Sequence, residues 1–131
     1  MKAFLINLEK AKDRLNSCDQ EFKKVGLDYI LVKAVDGEDN YPSKKEFSRL
    51  FYTLKHGKRV NPREVACYQS HIKALELFLK TSEEYALICE DDIEFSDEFV
   101  DVLKQSLESP IKFDILRFSG GDWDFPSQNI I

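Results

Sequence analysis

The opening 35 residues constrain the fold more tightly than any other stretch. Ala3-Phe-Leu-Ile-Asn-Leu8 is a run of strand formers whose apolarity is continuous rather than alternating. That pattern marks a strand covered on both faces, as in a parallel sheet. From Ala11 the period changes. Leu15, Cys18, Phe22 and Val25 recur at helical spacing, and Gly26 sits where a helix C-cap belongs. Asp28 to Val35 then reads as a second strand. Strand, helix, strand in this order is a right-handed crossover unit, which predicts an α/β fold with a mostly parallel sheet flanked by helices.

The remaining chain continues the alternation. Asp36 to Pro42 is turn-rich, and Ser43 with Glu46 forms a capping box opening a helix through Phe47, Leu50, Phe51 and Leu54. Asn61, Pro62 and Glu64 start a longer helix with an expected apolar stripe of Val65, Tyr68, Ile72, Leu75, Phe78 and Leu79. Tyr85-Ala-Leu-Ile-Cys89 is a third buried strand. Ser96 caps a helix carrying Phe99, Val102, Leu103 and Leu107, and Phe113 to Phe118 is expected as a fourth strand.

Composition removes several function classes. With 131 residues, 43% hydrophobic and 33% charged, the chain is expected to form one domain over residues 1–131 whose core needs neither disulfide nor structural metal. A formal charge of −5 argues against sequence-independent binding to nucleic acid. The basic residues Lys55, Lys58, Arg59 and Arg63 around Gly57 read as a solvated loop. Cys18, Cys67 and Cys89 are odd in number and lack a C-x-x-C pair, which points to a reducing cytoplasm rather than a disulfide framework or zinc signature. The longest stretch free of charge, Val65 to Ile72, is far short of the roughly 18–20 residues of a membrane span. No G-x-x-x-x-G-K-[ST] or G-x-G-x-x-G is present, and no serine has nucleophile-elbow glycines around it.

In open parallel sheets the ligand lies beyond the carboxyl ends of the strands. Asn7 with the Glu9 to Arg14 turn, Asp36-Gly37, and Glu90-Asp91-Asp92 all fall there. Adjacent carboxylates repel and need a cation or several donors to stay together. A divalent metal bridging to a diphosphate meets that need with hard oxygen ligands, whereas a solvated turn is the plain alternative. His71, beside the apolar stripe of the long helix, reads as a satisfied core residue unless a site claims it. A receiver-like phosphoacceptor domain is disfavoured because its acidic pair should follow the first strand, and here that strand ends in Asn7-Leu8-Glu9.

Taken in order, Leu5-Ile-Asn-Leu8 with Asp13-Arg14, Ala34-Val-Asp-Gly37, Glu64-Val-Ala-Cys-Tyr-Gln-Ser-His71 with Ala74, and Leu87-Ile-Cys-Glu-Asp-Asp92 resemble glycosyltransferase family 25. That family includes bacterial lipooligosaccharide galactosyltransferases and collagen galactosyltransferases. The resemblance implies a GT-A-like fold and an inverting transfer of a hexose, commonly galactose, from a UDP-sugar. It also implies Mn²⁺ or Mg²⁺ and a lipooligosaccharide or lipopolysaccharide acceptor.

Carried onto this sequence, the resemblance makes Asp91 and Asp92 the metal residues and Asn7, Arg14, Asp36, Ser70, His71 and Glu90 the donor-binding set. No general base is identified; His71, Asp122 and Asp124 are the candidates. The chain is short for such a family, so the acceptor-binding C-terminal part is expected to be missing, and a non-catalytic nucleotide-sugar or protein-binding remnant is the alternative. Peripheral association with the cytoplasmic face of the membrane, and self-association through apolar surface around Phe118, Trp123 and Ile130, are further expectations.

Overall fold

The computed structural model describes residues 1–38, 48–57 and 60–118. The elements follow in the order β1 (Lys2–Asn7), α1 (Lys12–Val25), β2 (Tyr29–Lys33), α2 (Arg49–His56), α3 (Pro62–Phe78), β3 (Ala86–Glu90) and α4 (Phe99–Glu108). The chain divides into two compact units, Met1–Phe99 and Val100–Ile131.

The first unit holds a three-stranded sheet in the order β2-β1-β3, with both pairings parallel. The expected α/β architecture with a parallel sheet flanked by helices is therefore present. β1 is central, and Ala3, Phe4, Leu5, Ile6 and Asn7 are all buried. This explains the unbroken apolar run, because both of its faces are covered.

The two faces are filled differently. Phe4, Ile6, Val32 and Ala74 form a core cluster with Ile30, Phe78, Ala86 and Ile88, which places α3 on that face. Phe78 meets Phe4 edge-on at 6.4 Å between centroids. On the other face Phe22 of α1 packs against Tyr29 at 4.6 Å and against Phe95 at 5.3 Å. The Tyr29 hydroxyl donates to Asp19, and burial together with that carboxylate pushes the phenol up to about 12. Gly26, at φ 67°, closes α1 in the left-handed conformation that a residue with a Cβ adopts at a cost.

Several expectations shift in detail. The Ser43–Glu46 capping box lies outside the described residues, and the helix that follows is capped by Ser48, whose hydroxyl accepts from Phe51 N at 3.3 Å. Asn61 caps α3 as expected, accepting from Arg63 N at 3.0 Å with Pro62 in the first turn. Val65 and Phe78 of the expected stripe do face the core, but the fully buried positions of α3 are Val65, Ala66, Ser70 and Ala74, while Tyr68 is 59% and Leu79 78% exposed. Small side chains let the helix backbone approach the sheet, which a face of Tyr and Leu could not allow.

α4 begins at Phe99, the last residue of the first unit, three residues after Ser96, whose carbonyl accepts from Phe99 N. Residues 113–118 carry no strand, and Ile115 is 89% exposed. Strand propensity expresses itself only against a partner ladder, and the described sheet has three strands.

Candidate functional site

The chain leaves β1, runs out to β2 and returns past β1 to β3, so the winding reverses between β1 and β3. Beyond the carboxyl ends at such a reversal a crevice opens. Here a cleft of about 370 Å³ lies at that edge, within the range of small-molecule sites. It is bordered by Arg14, Asp36, Gly37, Cys67, His71, Glu90 and Asp91 among others.

Register decides how the acidic triplet is distributed. Ile6 pairs with Glu90, so Glu90 shares the α3 face with Ile6, and Asn7 and Asp91 follow on the α1 face. Asn7 Nδ2 donates to Asp91 Oδ2 at 2.7 Å and to the Ala11 carbonyl at 3.2 Å. Arg14 from α1 holds the other oxygen of Asp91 at 3.1 Å. Asn7 is 4% exposed, so this amide is a buried clasp between the β1 and β3 ends. The turn beyond is pinned to α1: Phe95 N donates to Glu21 at 2.7 Å, and Lys24 Nζ donates to the Phe95 carbonyl at 2.8 Å. Asp92 lies on that turn and is exposed.

Glu90 turns the other way. Its Oε1 lies 3.6 Å from His71 Nε2 and 3.6 Å from Cys67 Sγ. Burial, and then the Glu90 carboxylate, push the Cys67 thiol up. Ser70 is fully buried. Its hydroxyl donates to the Ala66 carbonyl at 2.7 Å and accepts from Val35 N at 2.9 Å. The serine ties α3 to the end of β2 and, though it borders the cleft, both of its hydrogen bonds are internal.

Asp36 sits at the mouth with Lys10 at 2.7 Å and accepts from Glu38 N at 3.0 Å. Lys10 and Arg63 both reach Glu38, at 3.3 and 2.8 Å. Lys10 and then the Glu38 amide hold the Asp36 carboxyl below its ordinary range, while Arg63 and then Lys10 do the same for Glu38. Gly37 presses on the start of α3: a Cβ there would lie 2.8 Å from the Pro62 carbonyl oxygen.

The structure thus gathers Asn7, Arg14, Asp36, Ser70, His71, Glu90 and Asp91 around one edge, but splits them between two faces. Asp122 and Asp124 lie outside the described residues. Sequence reasoning missed Cys67, Lys10, Glu38 and Arg63. The first was signalled by Cys and His four apart on a helix, the others only by opposite charges flanking the turn.

A doubly wound parallel sheet with its cleft at the winding reversal defines a Rossmann-like α/β domain. Residues 1–131 match the profile of glycosyltransferase family 25 (LPS biosynthesis protein), and the chain belongs to that family. It is 29% identical over 126 residues to a glycosyltransferase 25 family member of Aedes aegypti, covering 92% of this chain and 20% of that protein. A family member from Drosophila pseudoobscura pseudoobscura is 29% identical over 124 residues, covering 88% and 20%. One from Drosophila melanogaster is 24% identical over 126 residues, covering 89% and 20%. The chain spans about a fifth of the length of these relatives.

Proposed function

We propose that this domain binds the donor of a glycosyl transfer, a UDP-hexose and first of all UDP-galactose, at the carboxyl edge of its sheet. The reaction in view is metal-dependent, inverting transfer of the hexose to a lipooligosaccharide or lipopolysaccharide acceptor on the cytoplasmic side, at the inner-membrane face. What supports the reading is one observation: in a chain of this family, Arg14, Asp36, Glu90 and Asp91 border one cleft at the winding reversal, with Asn7 holding Asp91 there and Asp92 next to it on the turn beyond.

The donor set divides by position. Asp36, with its charge preserved by Lys10, suits a ribose hydroxyl or a base N–H as hydrogen-bond acceptor. Arg14 is half exposed and can meet a diphosphate while staying near Asp91. Ser70 fixes the wall that the donor lies against.

Mn²⁺ or Mg²⁺ fits the carboxylate oxygens of Asp91 and Asp92 by chemical type. Asp91 already has Asn7 on one oxygen and Arg14 on the other, so Asp92, exposed on the turn, is the carboxylate best placed to reach an ion from solution. When bound, the metal neutralises charge on the departing diphosphate. Asn7 and Arg14 set the direction of the Asp91 carboxylate and thereby the path of the turn that carries Asp92. Deprotonation of the acceptor hydroxyl belongs to a general base on the opposite side of the sugar. His71 is the candidate for it among the described residues.

The experiment is calorimetric titration of UDP with and without Mn²⁺, on the native chain and on Asp92→Asn. Expected are mutual enhancement of UDP and Mn²⁺ binding, and loss of most metal-dependent affinity in the variant with an unchanged melting transition. Strictly additive effects, or UDP binding indifferent to a chelator, would remove the metal bridge. An absence of UDP binding altogether would remove the donor reading.

A further inference from the structure

Cys67, His71 and Glu90 bring three metal-ligating atoms within 4.8 Å of one another on the α3 wall of the cleft. We propose that they form a binding site for a borderline-soft divalent cation, Zn²⁺ in the first place, with a fourth position open to the cleft. This site shares His71, Glu90 and the cleft with the donor reading, and a cation held there would take His71 Nε2 out of the general-base role; its ligands are distinct from Asp91 and Asp92, which lie on the α1 side.

Cys67 and His71 are four apart on α3 and share one side of it. Glu90 ends β3, and its register with Ile6 turns its carboxylate toward α3.

Distances carry the argument further. Glu90 Oε1 is 3.6 Å from Cys67 Sγ and 3.6 Å from His71 Nε2. Ligands at Zn–N, Zn–O and Zn–S bond lengths of about 2.0–2.3 Å in a tetrahedron are separated by roughly 3.3–3.8 Å. Both edges from Glu90 already match such a polyhedron, and the third, between Cys67 and His71, lies within 4.8 Å.

The imidazole is also oriented for it. His71 Nδ1 lies 3.0 Å from the Cys67 carbonyl oxygen, which can only accept, so Nδ1 carries the hydrogen. In the neutral ring Nε2 then presents its lone pair to Glu90. A lone pair facing a carboxylate oxygen is unfavourable without something positive between them, which either a proton on Nε2 or a metal cation supplies. A backbone carbonyl holding the remote ring nitrogen is the usual support of a metal-bound histidine.

The donor types select the ion. One sulfur, one imidazole nitrogen and one carboxylate oxygen favour zinc-like ions over Mg²⁺ or Mn²⁺. On binding, the Cys67 thiol proton passes to the buffer and the thiolate becomes the ligand. Because all three residues border the cleft, the remaining position takes water or an anionic oxygen of a cleft ligand. Three protein ligands with one open position is the pattern of reactive rather than purely structural zinc sites.

The test is titration of the full chain with Co²⁺, followed by absorption, then displacement by Zn²⁺. Expected is a thiolate-to-cobalt charge-transfer band saturating at one equivalent and abolished by Zn²⁺. Cys67→Ser should lose the band. His71→Gln and Glu90→Gln should weaken Co²⁺ binding by at least about 100-fold, since even supporting partners of metal ligands are worth 10- to 100-fold. Circular dichroism of the metal-free variants checks that they fold. If Cys67→Ser does not fold, alkylation of the native chain decides: Zn²⁺ should protect Cys67 from iodoacetamide. No thiolate band at stoichiometric metal, a band that survives Cys67→Ser, or alkylation of Cys67 at the same rate with and without Zn²⁺ would overturn the proposal.

Discussion

Asn7 donates its side-chain amide to Asp91 at 2.7 Å, joining the ends of the central strand and its β3 neighbour where their backbone pairing stops. The contact extends the ladder by one residue through side chains. It also separates the acidic triplet: Asp91 is drawn to α1 and Arg14, while Glu90 is left to α3, Cys67 and His71.

Asn7→Ala should therefore destabilise the chain by about 1.5–3 kcal/mol, the range for losing a hydrogen bond to a charged group in a buried setting. Urea unfolding with an unchanged m-value checks this. Asp91→Asn should cost comparably, because Arg14 loses its carboxylate, whereas exposed Asp92→Asn should leave the midpoint where it is. Equal effects at Asp91 and Asp92 would contradict the division of the triplet.

Ser70→Ala tests whether the serine is a tie or a ligand contact. Removing its hydroxyl leaves the Val35 amide hydrogen without its acceptor between α3 and β2. An unsatisfied buried donor costs about 1–3 kcal/mol, so a clear drop in unfolding free energy is expected. A variant as stable as the native chain but weaker for UDP would assign Ser70 to the donor instead.

The reach of the sequence is clearest in β1 and least clear in α3. Continuous apolarity at Ala3 to Leu8 reports burial on two faces, a property of the strand alone, so the parallel sheet was legible, whereas the central place of β1 came only from the strand order. The α3 stripe held at Val65 and Phe78 and misled at Tyr68, Leu75 and Leu79, because periodicity counts large apolar residues while close helix-to-sheet packing selects Ala66, Ser70 and Ala74. The acidic triplet was legible as a strand-end feature. Its division between two faces was not, because that depends on the register Ile6↔Glu90, which no local pattern encodes. The likeness to strand of residues 113–118 failed for a related reason: a strand needs a partner, and propensity names none.

Gly37→Ala should destabilise through overpacking rather than backbone strain. The new methyl would meet the Pro62 carbonyl oxygen at 2.8 Å and the Arg63 Cα at 3.0 Å, both parts of the α3 backbone that cannot rotate away. A cost of about 1–3 kcal/mol is expected, as for an added methylene in a filled space. Because Glu38 and Asp36 flank this glycine, the Lys10 and Arg63 pairs should loosen with it. Thermal unfolding of the variant, with Gly57→Ala at the C-cap of α2 as a comparison, measures the first effect. The Gly57 comparison meets no atom within 4 Å but sits at φ 62°, so its cost is conformational only.

Cysteine reactivity gives the pH-dependent prediction. Cys18 and Cys89 are buried, and burial pushes the Cys89 thiol up to about 12, so neither should react in the folded chain. Cys67 is exposed, and its thiol is raised, first by burial and then by Glu90. A thiol whose folded pKa lies above its unfolded value favours the protonated form. Its contribution to stability is full below the unfolded value, near 8.5, and is lost as pH rises through the folded one. Iodoacetamide should therefore label one thiol of the native protein, slowly at pH 7 and faster as pH climbs past 9. Glu90→Gln removes the neighbouring negative charge, so the thiolate forms more easily and labelling at pH 8 should accelerate severalfold. Mass spectrometry of the modified peptide identifies the site. Faster labelling of Cys67 in native protein than in Glu90→Gln, or comparable labelling of Cys89, would show that the carboxylate and the burial do not govern this thiol.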